Sequence, residues 1–275
     1  MLSRRAVLAL AAGAPAVRAA KFKKVPIGLE LYSCRGEMKK DDVAVVRAVG
    51  KMGYDGVEFY GPYLDWTVDK AKAMRQVLDE SGLKCFSTHN GRNAFEDKID
   101  HAIELNTILG SKFVVMASAG RVNGLDGWKG VAETLNKANE KMKKAKLAPG
   151  FHNHQIEFRP LEGTKPIELL AKNTVKDVVL QLDVGTCVET ENDPVAWINA
   201  NPGRIKSVHC KDYSKDPSKK YRVLFGEGDG PWKEIFAAAE SKGGVVHYLI
   251  EQEGHELPEM EAVAKCLELI RKMRA

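Results

Sequence analysis

Apolar residues along this chain follow two alternating rhythms. Short continuous runs, most of them rich in Val, Ile, Leu and Phe, fall at 25–31, 55–59, 83–87, 113–117, 150–154, 178–182, 205–210 and 248–251. Runs of this length and make-up predict buried strands. Between them the apolar positions shift to a helical spacing, as in Val43, Val46 and Val49, or Ile99, Ile103 and Leu105. That rhythm predicts helices over 42–51, 95–109, 126–147, 166–171, 194–200, 232–242 and 258–273. Met52-Gly53, Ser81-Gly82, Leu109-Gly110 and Lys242-Gly243 place glycine where a left-handed residue ends a helix before the next strand.

Eight strands therefore alternate with helices, the stop at Ser81-Gly82 marking the one between the second and third strands. Alternating βα units predict a parallel sheet, and eight units closing on themselves predict an α/β fold of (β/α)8 TIM-barrel type, one domain over residues 21–275. An open doubly wound sheet is the alternative, but no glycine-rich phosphate loop follows the first strand. No linker or low-complexity stretch marks a second domain.

The first twenty residues stand apart. Ser3-Arg4-Arg5 precedes an apolar run from Ala6 to Val17, followed by Ala14-Pro15-Ala16 or Val17-Arg18-Ala19 as cleavage sites. The run is shorter than the ~20 residues of a membrane-spanning helix. Paired arginines resemble the twin-arginine export signal, although Val7 stands where that signal usually carries phenylalanine. Residues 1–20 are thus expected to be an export signal, giving a periplasmic or secreted protein with no stable membrane insertion once it is removed. The net charge of +5 includes Arg4, Arg5 and Arg18, so the remainder carries only +2. Such balance predicts no nucleic-acid partner. Five cysteines at 34, 85, 187, 210 and 266, without CxxC spacing, argue against a zinc ribbon and a disulfide framework. Cys34 and Cys187 are expected to line the site rather than react.

In a barrel of this kind chemistry sits at the carboxyl ends of the strands. Those ends carry Glu30 with Tyr32, Glu58 with Tyr60, His89 with Asn90, Ser118, then His152, His154 and Glu157, Asp183, His209 with Lys211, and Glu251. The strand starts show no such series. An ionisable group ending an apolar run is costly unless a cation or substrate uses it. Tyr60, Trp66, Trp128 and Phe158 are open to two readings, a wall for stacking a sugar or ordinary core.

These strings resemble the xylose-isomerase-like barrel superfamily of sugar phosphate isomerases and epimerases. The resemblance runs from about Pro26 to the end. It rests on Leu29-Glu30-Leu31-Tyr32, Met52-Gly53-Tyr54-Asp55-Gly56-Val57-Glu58-Phe59, His152-Asn153-His154 with Glu157, Gln181-Leu182-Asp183-Val184, His209-Cys210-Lys211-Asp212, Gly226-Glu227-Gly228 and Ile250-Glu251-Gln252. It implies one divalent ion held by Glu157, Asp183, His209 and Glu251. Three oxygen donors and an imidazole suit Mn2+, Mg2+ or Co2+. The chain departs from the pattern at the end of strand five, where His152 or His154 stands in place of the usual glutamate, so either histidine is an alternative ligand.

The implied reaction is isomerisation or epimerisation of a sugar through a metal-stabilised enediolate. His154 or His152 would serve as base, with Glu251 next in line. Glu30, Glu58, His89 and Lys211 are expected to contact the substrate. An exported enzyme meets few sugar phosphates, so an unphosphorylated sugar or keto-sugar is expected. Elimination by a keto-sugar lyase or dehydratase of the inosose-dehydratase kind uses the same chemistry. An apurinic-endonuclease-like phosphodiesterase is disfavoured because Thr186, not histidine, stands three residues after Asp183. A non-catalytic sugar-binding protein is the remaining alternative, and a homo-oligomer is left open.

Overall fold

A computed structural model describes residues 24–275; the expected export signal lies outside them. The eight strands are β1 (Ile27–Glu30), β2 (Gly56–Phe59), β3 (Lys84–Gly91), β4 (Phe113–Ser118), β5 (Ala148–His152), β6 (Val179–Asp183), β7 (Ser207–Cys210) and β8 (His247–Ile250). They pair in parallel in sequence order, and β8 closes on β1, forming a barrel. Eight main helices surround it: α1 (Asp42–Met52), α2 (Val68–Glu80), α3 (Ile99–Leu109), α4 (Gly124–Met142), α5 (Pro166–Asn173), α6 (Pro194–Ala200), α7 (Trp232–Ala238) and α8 (Glu259–Arg274). The predicted (β/α)8 barrel is the observed fold. No helix among the described residues is long and apolar enough to cross a membrane.

Local chemistry sets the helix ends. The Asp41 carboxylate caps α1 by accepting from Ala44 N at 2.9 Å, and Gly53 ends it at φ +92°, a conformation only glycine adopts freely. Fully buried Leu29, Val57, Leu180 and Val208 of the strands join Val46, Leu105 and Leu135 of the helices in one apolar core. Inside the barrel, near the strand starts, the Phe86 ring fills the lumen. A Cβ at Gly28 would lie 2.8 Å from that ring and one at Gly56 2.7 Å from it, so two glycines make room for one aromatic.

Several boundaries differ from the predicted ones. β3 runs on to Gly91 through register irregularities against both neighbours. β5 ends at His152, so His154 lies beyond the strand and opens a one-turn helix, Gln155–Phe158. The predicted helix 126–147 ends at Met142, and Lys146 turns the chain at φ +60°. The strand starts are not purely apolar either. His247 and Ser207 are buried there, 2.9 Å apart.

Candidate active site

The strand ends converge on a buried polar floor. His209, on β7, has Nδ1 at 2.6 Å from Glu251 Oε2 and Nε2 at 2.7 Å from Glu58 Oε1. Burial alone would depress its pKa, but Glu58 and Glu251 outweigh it and hold the imidazole well above its ordinary value. Asp183, at the end of β6, caps the short helix Val184–Glu189 through Oδ1, which accepts from Thr186 N at 2.8 Å. Its Oδ2 is buried without a hydrogen-bond partner. Burial raises the Asp183 pKa, against the attraction of Lys211.

Asn153, between the two histidines of strand five, explains why Asp183 is held so firmly. Its Oδ1 accepts from Asp183 N at 3.0 Å, and its Nδ2 donates to Asp183 O at 3.2 Å and Thr186 Oγ1 at 2.8 Å. His152 is fixed differently. Its Nδ1–H donates to Gln181 Oε1 at 2.9 Å, leaving Nε2 as the unprotonated nitrogen, 3.8 Å from Asp183 Oδ2. Burial first, then His209 and His89, push the His152 pKa well below its usual value, so the ring is neutral.

His152, Asp183, His209 and Glu251 each offer a ligand atom within 4.8 Å of the others, all buried. Two lone-pair-bearing atoms facing each other with no proton between them, one otherwise orphaned, are costly unless a cation lies there. Two imidazole nitrogens and two carboxylates fit a divalent ion. Glu157 is not in the group. Its carboxylate folds back to accept from His154 N at 2.7 Å, because the chain turns into a helix immediately after His154 and the glutamate serves that helix's first turn.

Gln181 is the centre of the layer beneath. Its Oε1 accepts from His152 and, at 2.6 Å, from His89 Nε2; its Nε2 donates to Glu58 Oε2 at 2.8 Å and Ser207 Oγ at 3.0 Å. Glu58 is wholly buried and does not line the cleft. Its Oε2 also accepts from Ser87, and its Oε1 lies 3.0 Å from His89 Nε2. The expected substrate contact is therefore a group that orients two imidazoles from below. Burial would raise its pKa, but His89, His209 and the Ser87 hydroxyl bring it down to about 2.

Above the floor opens a cleft of about 690 Å³, lined among others by Glu30, Tyr60, His89, His154, Lys211 and Tyr221. Glu30, His89 and Lys211 thus stand where the sequence placed them. Glu30 keeps Oε2 unpartnered, and burial, then Glu58, raises its pKa well above the carboxylate range. The His154 ring sits edge-on to His152, with centroids 4.8 Å apart. Lys211 Nζ donates to Glu253 at 2.6 Å and Glu251 at 3.1 Å and lies 5.1 Å from the Tyr221 ring centroid. Burial would lower its pKa, yet Glu251, Asp183 and Glu253 hold it well above normal, so it is charged. Of the four aromatics considered for a sugar wall, Tyr60 lines the cleft, edge-on to Tyr32 at 5.4 Å. Trp128 and Phe158 are core, and Trp66 packs against Phe59 and Tyr63. All five cysteines are free and buried, and the Cys34 thiol is pushed up to about 12, chiefly by burial; it is no nucleophile.

The sequence reading gave no role in the site to Gln181, Arg35, Tyr221 or Glu253. Only Gln181 carried a signal, as an amide inside the apolar run Val178–Leu182 with nothing in sequence to say what it bonds.

Comparison with known proteins agrees with this fold. The curated "Rhizopine catabolism protein MocC" of Rhizobium meliloti is 28% identical over 198 residues, which cover 64% of this chain and only 58% of that protein. A solved sugar phosphate isomerase/epimerase from Parabacteroides distasonis superposes with a TM-score of 0.78 at 28% identity, covering 95% of this chain and 97% of its own. A D-psicose 3-epimerase from Clostridium cellulolyticum shares the fold, with a TM-score of 0.71 at 13% identity over 90% of this chain and 99% of its own. A family model described as xylose isomerase-like TIM barrel matches residues 46–273. The closed barrel, its polar strand ends and a match over most of the sequence lead to one conclusion: the chain belongs to the xylose isomerase-like TIM barrel family.

Proposed function

We propose that the protein is a divalent-metal-dependent isomerase or epimerase acting on an unphosphorylated sugar or keto-sugar. The observation that carries this reading is the buried group at the cleft floor, with Asp183 Oδ2 lacking a hydrogen-bond partner, 3.9 Å from Lys211 Nζ, and facing the lone pair of His152 Nε2. His152, Asp183, His209 and Glu251 would hold the ion, His152 taking the place first given to Glu157. When bound there, a divalent cation would supply Lewis acidity toward a carbonyl and its neighbouring hydroxyl, lowering the cost of removing the carbon-bound proton between them. Mn2+, Mg2+ or Co2+ suits two carboxylates and two imidazoles.

The chain's own groups do the rest. His154 stands at the cleft beside the floor and is the base that takes the proton. Glu30, its pKa raised by burial, lines the cleft from β1 with Oε2 unpartnered and available to a substrate hydroxyl or oxygen. Charged Lys211 offsets negative charge on the deprotonated substrate. Among the described residues lining the cleft, the two cations are already paired: Lys211 with Glu251 and Glu253, and Arg35 with Glu253 at 3.7 Å. Their carboxylate partners disfavour a dianionic phosphate, which supports a neutral sugar. The paired arginines of residues 1–20 support an exported enzyme, where such substrates are met.

A second reading, elimination by a lyase or dehydratase, is favoured by the placement of His154 beyond the strand end, where it can also protonate a departing oxygen. The experiment is proton–deuterium exchange in D2O, read by NMR, with metal-loaded protein and a panel of free ketoses, inososes and 3-keto-glycosides. Exchange at one carbon without loss of oxygen supports the isomerase reading, and release of water or alcohol supports elimination. Absence of exchange across the panel, in protein shown to hold one ion per chain, overturns both.

A further inference from the structure

The opposite end of the barrel holds a second cavity, of about 860 Å³, where the strands begin. Its lining is unlike the rest of the molecule. Lys84, Lys112 and Lys206 border it at or just before the starts of β3, β4 and β7; Lys143, Lys146 and Lys176 border it beyond the ends of α4 and α5. Arg75 and Arg204 complete the set, and Asp177 is the one carboxylate in the lining. Eight cations against one anion give the cavity +7.

The rest of the chain shows how uneven this is. Five of the 42 Lys and Arg residues, and none of the 37 Asp and Glu, fall in residues 1–23, so residues 24–275 are neutral in sum. With +7 at the cavity, the remainder of the barrel carries −7. Sequence-wide balance conceals a segregated charge. Lys143 follows the last turn of α4, where helix carbonyls attract cations, and it pairs with Asp177 at 3.4 Å. That account does not extend to Lys84, Lys112 and Lys206, which stand beside strand starts. Among the described residues Lys84, Lys112, Lys146, Lys176 and Lys206 form no ion pair. Clustered, unpaired cations around a concavity repel one another and favour an anion between them.

The floor is aromatic. Phe86 and His247 stack with centroids 4.7 Å apart and an interplanar angle of 11°, and Phe113 lies 5.7 Å from His247. A flat apolar floor under a cationic rim, in a volume fit for a small molecule, selects a ring that carries negative charge. A flat membrane or a DNA duplex would meet the rim and leave the floor uncovered.

We propose that this amino-terminal end of the barrel is a binding site for a small aromatic polyanion, a ring bearing two or more carboxylate or phosphate groups, separate from the catalytic cleft. The test is calorimetric titration of the full-length protein with benzene-1,3,5-tricarboxylate, with citrate as an aliphatic trianion of similar charge. One saturable site per chain is expected, tighter for the ring than for citrate and weakened when salt shortens the range of the rim charges. Lys84→Gln with Lys112→Gln should weaken binding about tenfold or more, the effect of roughly 1.4 kcal/mol lost over two partly screened charges. Lys39→Gln with Lys233→Gln, exposed and outside the cavity, should leave it unchanged. All four side chains are solvent-exposed, so folding is preserved. No saturable binding, equal loss in both double variants, citrate binding as tightly as the ring, or binding only to DNA or anionic vesicles would each overturn the proposal.

Discussion

Gln181→Leu is the most incisive perturbation of the floor, because it keeps the side-chain volume roughly constant and removes one amide that four groups share. After the change Ser207 retains His247, Glu58 retains Ser87 and His209, and His89 retains Glu58. His152 alone loses its only partner at Nδ1. An orphaned buried N–H costs about 1–3 kcal/mol, and weakened bonds at the other three sites add about 0.5–1.5 kcal/mol in total. The expected loss of stability is therefore about 1.5–4.5 kcal/mol, read as a lower urea midpoint. Losing the bond that fixes the His152 tautomer should also weaken divalent-metal binding about 10–100-fold, the usual scale for removing the partner of a ligating histidine. Metal affinity is measured by competition with a chelating dye under conditions where the variant is folded. A folded Gln181→Leu protein with wild-type metal affinity would refute the assignment of His152 as a ligand oriented by Gln181.

Four further outcomes are expected. Asp183→Ala and His209→Ala should each lose the bound ion and turnover; unchanged metal by elemental analysis in both would defeat the assigned floor. His154→Asn should keep the metal yet slow substrate-carbon exchange about 10²-fold, and exchange at the wild-type rate would move the base to Glu251. Glu58 has a folded pKa of about 2, below its unfolded value, so its stabilisation is present above the unfolded pKa and lost as pH falls toward 2. Chelator-treated protein should lose stability across that window, and Glu58→Gln should flatten the loss; an identical acid profile in the variant would contradict the pairing. Mature protein should begin near Val17 or Ala20 outside the cytoplasm, with Arg4→Lys plus Arg5→Lys blocking export, whereas an intact Met1 on cytoplasmic protein would end the export reading.

The barrel was legible because its two periodicities are set by burial alone: a run such as Phe113–Ala117 can only be a buried strand, and Gly53 or Gly110 can only end a helix. Asp183, His209 and Glu251 were legible for the same reason, as charges ending apolar runs. Glu157 falls outside the buried group because β5 stops at His152, where Asn153 bonds across to Asp183, and no hydrophobic pattern marks that stop. Glu58 was placed on the correct strand and the wrong level, since sequence shows the face a residue shares but not its depth along the barrel axis. Gln181 could not be interpreted because an amide declares its meaning only through partners brought from β2, β3, β5 and β7. The segregation of charge was invisible for a related reason: Lys84 and Lys206 are far apart in the chain and meet only when the strands close.

The position of Glu58 has a consequence for how such a site can change over evolutionary time. An ionised carboxylate accepts only, so Gln181 must turn its NH2 toward Glu58 and its carbonyl toward His152. The same carboxylate accepts the Nε2 proton of His209, while Nδ1 faces Glu251 and would become a ligand atom only on giving up its proton to an incoming cation. One residue that never meets the substrate thus dictates the handedness of two imidazoles on different strands. Strand-five and strand-seven histidines form a linked pair of inherited choices: neither can be flipped to its other tautomer by local substitution while Glu58 remains charged. Drift in specificity is channelled instead to the mouth, where Tyr32, Tyr60 and Tyr221 can be exchanged without renegotiating the floor.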